Sequence, residues 1–177
     1  MTLIETLVAI TILTVAIVSP MSLTMQSLSA SYYARDQVTA FHLAQEAVES
    51  VRSVRDGNIL SIAFNAATTC PSDNTAMHLL CGIYVGTPFT IDARDNAMVE
   101  CPAAGCPPLQ TDGDLYGYQS GWSNTRFTRT VKADFVDDAA RDEIQVSVTV
   151  KWQAGPMQER TFTIYENLYR WVEDGSV

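Results

Sequence analysis

The sequence predicts an α+β fold in which one long N-terminal helix packs against a C-terminal antiparallel sheet of three or more strands. Three observations support this prediction. The first 25 residues are almost entirely apolar, the following 30 carry apolar residues at three- and four-residue steps, and the last third alternates apolar and polar residues. These patterns are typical of a membrane-length helix, an amphipathic helix and half-buried strands, respectively.

The first segment, 1–28, is long enough to cross a membrane. From Leu3 to Met25 there are 23 residues, which as a helix span about 34 Å, against a hydrocarbon core of about 30 Å. Glu5 is its only ionisable side chain. A carboxylate within lipid is costly without a partner, and the nearest cation is the α-amino group of Met1, in the same subunit or the next. The alternative is an idle Glu near the membrane surface.

The same segment differs from a cleavable secretory signal. No Lys or Arg precedes Arg35, and no small-residue cleavage site of the A-x-A type closes the apolar run. We therefore expect a retained helix with Met1 as a processed end, the alternative being an ordinary signal anchor. Pro20 lies inside this helix and removes one backbone donor, which predicts a kink or local melting near residues 16–20.

Residues 29–57 are predicted to be the amphipathic second half of the same helix, about 55 residues long in total. Asp56, Gly57 and Asn58 supply the expected stop, with Gly57 suited to the left-handed position after a helix. The predicted apolar stripe comprises Ala34, Val38, Phe41, Ala44, Ala47 or Val48, and Val51.

The remaining residues, 58–177, are predicted to form a globular head that begins with a loop region, 58–124. Segment 59–64 is either a short strand or the helix's last contact, and short strands are expected around 83–91 and 115–118. All four cysteines lie in this region, which suggests disulfides formed in an oxidising compartment. Three pairings are possible; the simplest joins neighbours, Cys70 to Cys81 and Cys101 to Cys106. Zinc is disfavoured because no C-x-x-C occurs and His78 is the only nearby histidine.

Residues 125–171 are predicted to form an antiparallel meander of three strands joined by short loops. The clearest alternation is EIQVSVTVKWQ (143–153), in which Ile144, Val146, Val148, Val150 and Trp152 share one face. This apolar face needs a cover, and the stripe of the helix is the candidate.

The composition argues against several function classes. A net charge of −9 and only two lysines disfavour direct nucleic-acid binding, which needs clustered cations. No catalytic constellation, phosphate loop or cofactor motif is present, and His42 is expected to be structural or exposed, so we expect no enzyme, cofactor or resident metal.

Two further clusters of residues are candidate binding sites. The acidic residues Asp92, Asp95, Asp112 and Asp114 could hold calcium, but solvated turns are the favoured interpretation. The C-terminal aromatic residues Tyr165, Tyr169 and Trp171 are expected to pack in the core rather than contact a neighbour.

The N-terminal residues MTLIETLVAITIL resemble the mature N-terminus of the type IV pilin superfamily, which includes pilins, minor pilins and type II secretion pseudopilins. Thr2, Leu3, Ile4, Glu5 and the apolar run carry the likeness, whereas Met1 stands where many members have Phe and the position of Pro20 matches approximately. The segments LAQEAVESVRSVRDGN, TRFTRTVKADF, IQVSVTVKW and RTFTIYENL are similar to minor-pilin-like members.

The resemblance implies a subunit stored in the cytoplasmic membrane and processed at Met1 by a prepilin peptidase, which also methylates the new amine. Pilus assembly machinery would then pack the helices into an extracellular filament, with Glu5 neutralising the Met1 amine of an adjacent subunit. Adhesion or twitching motility would follow. The alternatives are a minor pilin or pseudopilin, and a membrane-anchored binding domain that never polymerises.

Overall fold

A computed structural model describes residues 2–63, 82–137, 143–154 and 158–169. For residues 61–63 it describes the backbone alone. The order is one helix followed by seven strands, which confirms the α+β class. The elements are α1 (Leu3–Ala63), β1 (Phe89–Ile91), β2 (Met98–Glu100), β3 (Pro108–Thr111), β4 (Tyr116–Gly117), β5 (Ser123–Phe135), β6 (Glu143–Gln153) and β7 (Glu159–Tyr169). The chain divides into two compact units, Met1–Thr39 and Ala40–Val177, and α1 contributes residues to both.

Helix α1 is longer than the sequence predicted. It has 61 residues and runs through Gly57, which lacks the positive φ of a helix-terminating glycine. The burial of the Ile59 side chain favours this extension. Burying an isoleucine gains roughly 1.5–3 kcal/mol, more than the roughly 1 kcal/mol that a glycine costs inside a helix. The predicted stop at 56–58 and the alternative strand at 59–64 are therefore wrong.

The buried stripe of α1 is built from small residues and is shifted from the predicted one. It consists of Ala40, Leu43, Ala44, Ala47, Val48, Val51 and Ile59. Val38 is 56% exposed and Phe41 40% exposed, so the stripe begins later than predicted. Phe41 lies at its border, where its ring meets the edge of Phe162 with centroids 5.7 Å apart. Alanines in the centre allow the helix backbone to approach the sheet closely, and the phenylalanine closes the rim.

Strands β5, β6 and β7 form the predicted antiparallel meander. Their register aligns Val131 with Val148 and Val148 with Ile164. Every alternate residue of β6 from Ile144 to Trp152 is buried, as the sequence pattern predicts. The inner faces of these strands and the stripe of α1 share one hydrophobic core within the second unit.

The four short strands complete a seven-stranded sheet on the other side of β5. β1 and β3 both pair with β5, β2 pairs with β1, and β4 pairs with β3, all antiparallel. Only two of the four were expected, and both are shorter than their predicted ranges. The other two, β2 and β3, lie in stretches rich in turn residues, where three or four residues are too few to show a period.

Candidate functional site

The start of α1 places Glu5 against the backbone amide of Thr2, the residue before the helix. The Thr2 N–H donates to Glu5 Oε2 at 3.3 Å, and the Thr2 carbonyl accepts from the Glu5 N–H at 3.0 Å. Thr2-Leu3-Ile4-Glu5 has the residue order of a capping box, and one of the two contacts of that motif is formed, the bond from the N–H of the cap residue to the side chain of the third helical residue. The T-x-x-E signal was present in the sequence and was missed. Met1, the other proposed assembly residue, lies outside the described residues.

The first unit presents an apolar helix surface without burial. The segment Leu3–Leu60 contains an 18-residue window of mean hydropathy 2.1, none of it buried, so by length and composition α1 could cross a membrane. Exposed fractions include 83% for Leu3, 61% for Ile10 and 67% for Val15. Large apolar side chains left exposed in a row mark a surface that another apolar phase covers.

The chain is helical on both sides of Pro20, although the proline has no N–H to donate. Residues 16–24 are all helical, and the Thr24 hydroxyl donates to the Pro20 carbonyl at 2.9 Å. Neighbouring threonines bond back one turn in the same way: Thr11 donates to Val8 O at 2.8 Å and Thr14 to Thr11 O at 2.9 Å. These bonds keep hydroxyl groups satisfied on an otherwise apolar helix. The kink stays a prediction.

In the second unit, a fully buried arginine joins α1 to the sheet. Arg129 of β5 is 0% exposed. Its guanidinium donates to the Leu43 carbonyl and to Glu46 Oε2, both at 3.0 Å, and to the Ile91 carbonyl at 2.5 Å. A charge removed from water is tolerated only when it is paired and hydrogen-bonded. Three acceptors pair the two terminal nitrogens here, whereas the buried Nε has no hydrogen-bond partner among the described residues. The pair therefore fixes the register between helix and strand.

Tyr118 lies next to this arginine. Its hydroxyl is buried and has no hydrogen-bond partner among the described residues. Burial raises the pKa of Tyr118 to about 12, although the positive charge of Arg129 opposes that rise. The phenol is consequently neutral at physiological pH.

A second buried carboxylate organises the loops between the short strands. Asp92 is 4% exposed and accepts from the Arg94 Nη2 at 3.1 Å, the Arg94 Nε at 3.2 Å, and the backbone N–H groups of Arg94 and Tyr118 at 3.1 and 3.0 Å. Burial alone would raise the pKa of Asp92, but the hydrogen bonds from Arg94 and Tyr118 outweigh it and lower the pKa to about 2. The guanidinium of Arg94 also lies 4.6 Å from the ring centroid of Trp122.

Gly117 is required where strand β4 passes this carboxylate. A Cβ at position 117 would lie 2.9 Å from Asp92 Oδ2 and 3.3 Å from Oδ1. A methyl group cannot fit at that distance without moving the carboxylate from its donors. The Asp92 cluster is therefore built around a close backbone approach.

One of the two predicted disulfides is confirmed. Cys101 and Cys106 are bonded, with their Cα atoms 4.7 Å apart, and close a turn in which the Gly105 N–H donates to the Pro102 carbonyl at 2.8 Å. The predicted Cys70–Cys81 bond lies outside the described residues, as do His78 and Trp171.

The acidic residues considered for calcium are occupied by local turns. Asp112 Oδ1 accepts from the N–H groups of Asp114 and Leu115 at 3.0 and 2.9 Å, and Asp95 Oδ1 accepts from Ala97 N–H at 2.9 Å. Among the described residues, no group of three or more His, Cys, Asp or Glu side chains is placed to hold a metal ion. Asp95 and Asp112 therefore fit the solvated-turn interpretation, whereas Asp92 does not, because it is buried and paired with Arg94.

The exposure of the C-terminal tyrosines differs from the sequence prediction. Tyr165 is 66% exposed and Tyr169 is 55% exposed, so neither packs in the core as expected. The reason is strand phase: β7 turns its even-numbered residues Phe162, Ile164 and Leu168 toward the core, and the odd-numbered ones to the other face.

Comparison of the chain with protein-family models, with curated proteins and with solved structures finds no match. A long apolar N-terminal helix combined with an antiparallel sheet is nevertheless consistent with a pilin-like architecture.

Proposed function

We propose that this chain is a structural subunit of a type IV pilus-like filament, held in the cytoplasmic membrane by the first half of α1 before assembly. The observation that carries the proposal is the apolar surface of that half. Its large side chains are exposed from Leu3 to Leu28 and Glu5 is its only ionisable residue. A bilayer or a bundle of identical helices would bury this surface, and a filament core provides such a bundle.

In the proposed filament, Glu5 neutralises the N-terminal amine of a neighbouring subunit. The capping contact with Thr2 is compatible with this role, because it uses one carboxylate oxygen at 3.3 Å and an ionised carboxylate accepts several hydrogen bonds. Within an apolar core, an unpaired carboxylate would be costly, and a cation from the next subunit removes that cost while fixing the axial position of each helix.

Substitution at Glu5 separates the capping role from the pairing role. Glu5→Gln keeps a side-chain oxygen that can accept from the Thr2 N–H but removes the negative charge, whereas Glu5→Ala removes both. We expect both variants to reach the membrane and neither to form filaments, as judged by electron microscopy and immunoblotting of sheared surface material. Thr6→Val, which removes a hydroxyl one residue away that donates to Leu3 O at 2.9 Å, is the matched control and should assemble.

Filaments of normal yield from Glu5→Gln would contradict the charge-pairing role and leave Glu5 as a helix cap. The same preparation tests the class of protein. A filament made mainly of this chain supports a major subunit, traces of it support a minor pilin or pseudopilin, and none supports a membrane-anchored binding domain. Mass spectrometry should find a methylated Met1 amine if a prepilin peptidase processes the chain.

A further inference from the structure

The face of the sheet that points away from α1 carries rows of hydroxyl groups. The register aligns Thr130, Thr149 and Thr163 across β5, β6 and β7, and the Thr149 and Thr163 hydroxyls lie 3.0 Å apart. The next row aligns Lys132, Ser147 and Tyr165. With strands about 4.8 Å apart, each row spans about 10 Å of nearly flat surface. Only those side chains of β5, β6 and β7 that point away from the core contribute to this face, which we call the outer face.

Two exposed tyrosines project from the same face. Tyr165 and Tyr169 are 66% and 55% exposed. They are four residues apart along one strand, so their Cα atoms are about 13 Å apart. Their rings combine an apolar surface with a hydroxyl group and lose little conformational entropy on binding. Asn167 lies between them. Its Oδ1 accepts from Gln145 Nε2 at 3.3 Å, and its Nδ2 donates to Glu143 Oε1 at 2.7 Å.

The two lysines on the outer face are each paired with a carboxylate. Both lysines of the chain are here. Lys132 pairs with Asp134 at 2.8 Å and Lys151 with Glu159 at 3.3 Å. The outward positions of β5–β7 carry three cations, Arg126, Lys132 and Lys151, and three carboxylates, Asp134, Glu143 and Glu159. The chain as a whole carries −9, so this face is a locally balanced region of an acidic protein. A nucleic acid needs unpaired clustered cations, and an acidic polymer would be repelled by the rest of the surface.

We propose that the outer face of β5–β7 binds a neutral polysaccharide in an extended conformation. The C–H faces of successive sugar rings stack on Tyr165 and Tyr169, and their hydroxyls exchange hydrogen bonds with the threonine rows and the amide of Asn167. Sugars need this combination of apolar platforms and hydroxyl or amide partners, and they need no net charge. The inference is independent of filament assembly, because every group involved belongs to one subunit.

The test is depletion of the purified full-length chain, held in detergent micelles, from solution by microcrystalline cellulose and by chitin. We expect binding to at least one of them that persists at high salt, since no charge attracts the ligand. Tyr165→Ala should weaken binding about tenfold, because losing one aromatic contact of about 1.4 kcal/mol corresponds to that factor. Tyr165→Phe, which keeps the ring, should bind within about twofold of the unchanged chain.

Two controls locate the effect. Val99→Ala removes an exposed side chain, 63% accessible, from strand β2 and should bind normally. Far-UV circular dichroism confirms that each variant is folded. The inference is overturned if neither polysaccharide depletes the chain, if Tyr165→Ala binds as well as the unchanged chain, or if acidic alginate competes in a salt-sensitive manner. It is also overturned if Tyr165→Ala changes the oligomeric state in micelles, which would make the face an interface between copies.

Discussion

Replacing Asp92 with asparagine tests the buried carboxylate that organises the loops around β4. The substitution preserves shape but removes the charge that two donors of the Arg94 side chain and two backbone amides stabilise. It also replaces one acceptor oxygen with an NH₂ group, which would face a donor. We therefore expect Asp92→Asn to destabilise the fold without changing its topology.

The magnitude follows from the pKa. The pKa of Asp92 falls from 3.8 to about 2 in the folded chain. A difference of about 1.8 units corresponds to about 2 kcal/mol of stability from the ionised carboxylate. Because the folded-state pKa is depressed, this stability is fully present above the unfolded-state value near 3.8. It is lost as the pH falls from there through about 2.

The assay is urea unfolding of the full-length chain in micelles, followed by tryptophan fluorescence at several pH values. Trp122 is a local reporter, since the Arg94 guanidinium lies 4.6 Å from its ring. We expect Asp92→Asn to unfold at lower urea than the unchanged chain from pH 7 to 5, with the gap narrowing as the pH falls below 4. Asp95→Asn is the matched control, since Asp95 accepts only an exposed turn amide. A gap that is absent at pH 7, or constant down to pH 2.5, would refute the reasoning.

Two further predictions concern the helix–sheet contact and the loop region. Arg129→Met should lower the free energy of unfolding by about 2–3 kcal/mol, because it leaves Glu46 and two buried carbonyls without their donor. In a double-mutant cycle with Glu46→Gln, urea unfolding should give a coupling energy above about 0.5 kcal/mol, and strict additivity would contradict the pairing. Replacing Cys101 and Cys106 with serine should cost about 2 kcal/mol, the loop-closure entropy of a five-residue separation. Unchanged thermal unfolding of that variant would show that the crosslink constrains nothing.

The meander was predictable because its strands are long. Eleven residues of β6 give five inward positions, Ile144 to Trp152, all apolar and all buried, so the period is unambiguous. The strands β2 and β3 have three and four residues and are formed by pairing with neighbours, which no local pattern reports. The Asp92 cluster is likewise non-local, since it joins residue 92 to residues 117 and 118.

Arg129 shows a different kind of failure. Arg129 occupies an inward-facing position of β5, between Phe127 and Val131. A search of the sequence for alternating apolar residues does not identify a charged residue at such a position. The signal in the sequence was the arginine that interrupts the apolar alternation of the strand. An arginine at an inward-facing position requires an acceptor on the facing element. Glu46, between the buried residues Leu43 and Ala47 of α1, was that acceptor. Searching inward positions for charges and facing elements for partners would have found the pair.

The two halves of α1 differ in burial: the second half is packed against the sheet, and the first half is exposed. Within the second unit, alanines, valines and the Arg129–Glu46 and Arg52–Glu166 pairs complete the burial of the helix against the sheet. The residues from Leu3 to Leu28 receive no such cover, although they are the more apolar part. A side-chain set this apolar is stable only when another apolar phase surrounds it, since exposed area costs about 25 cal/mol per Å². An apolar helix of this length is compatible with membrane anchoring, and the filament subunit proposed above would bury it first in a bilayer and then among further helices.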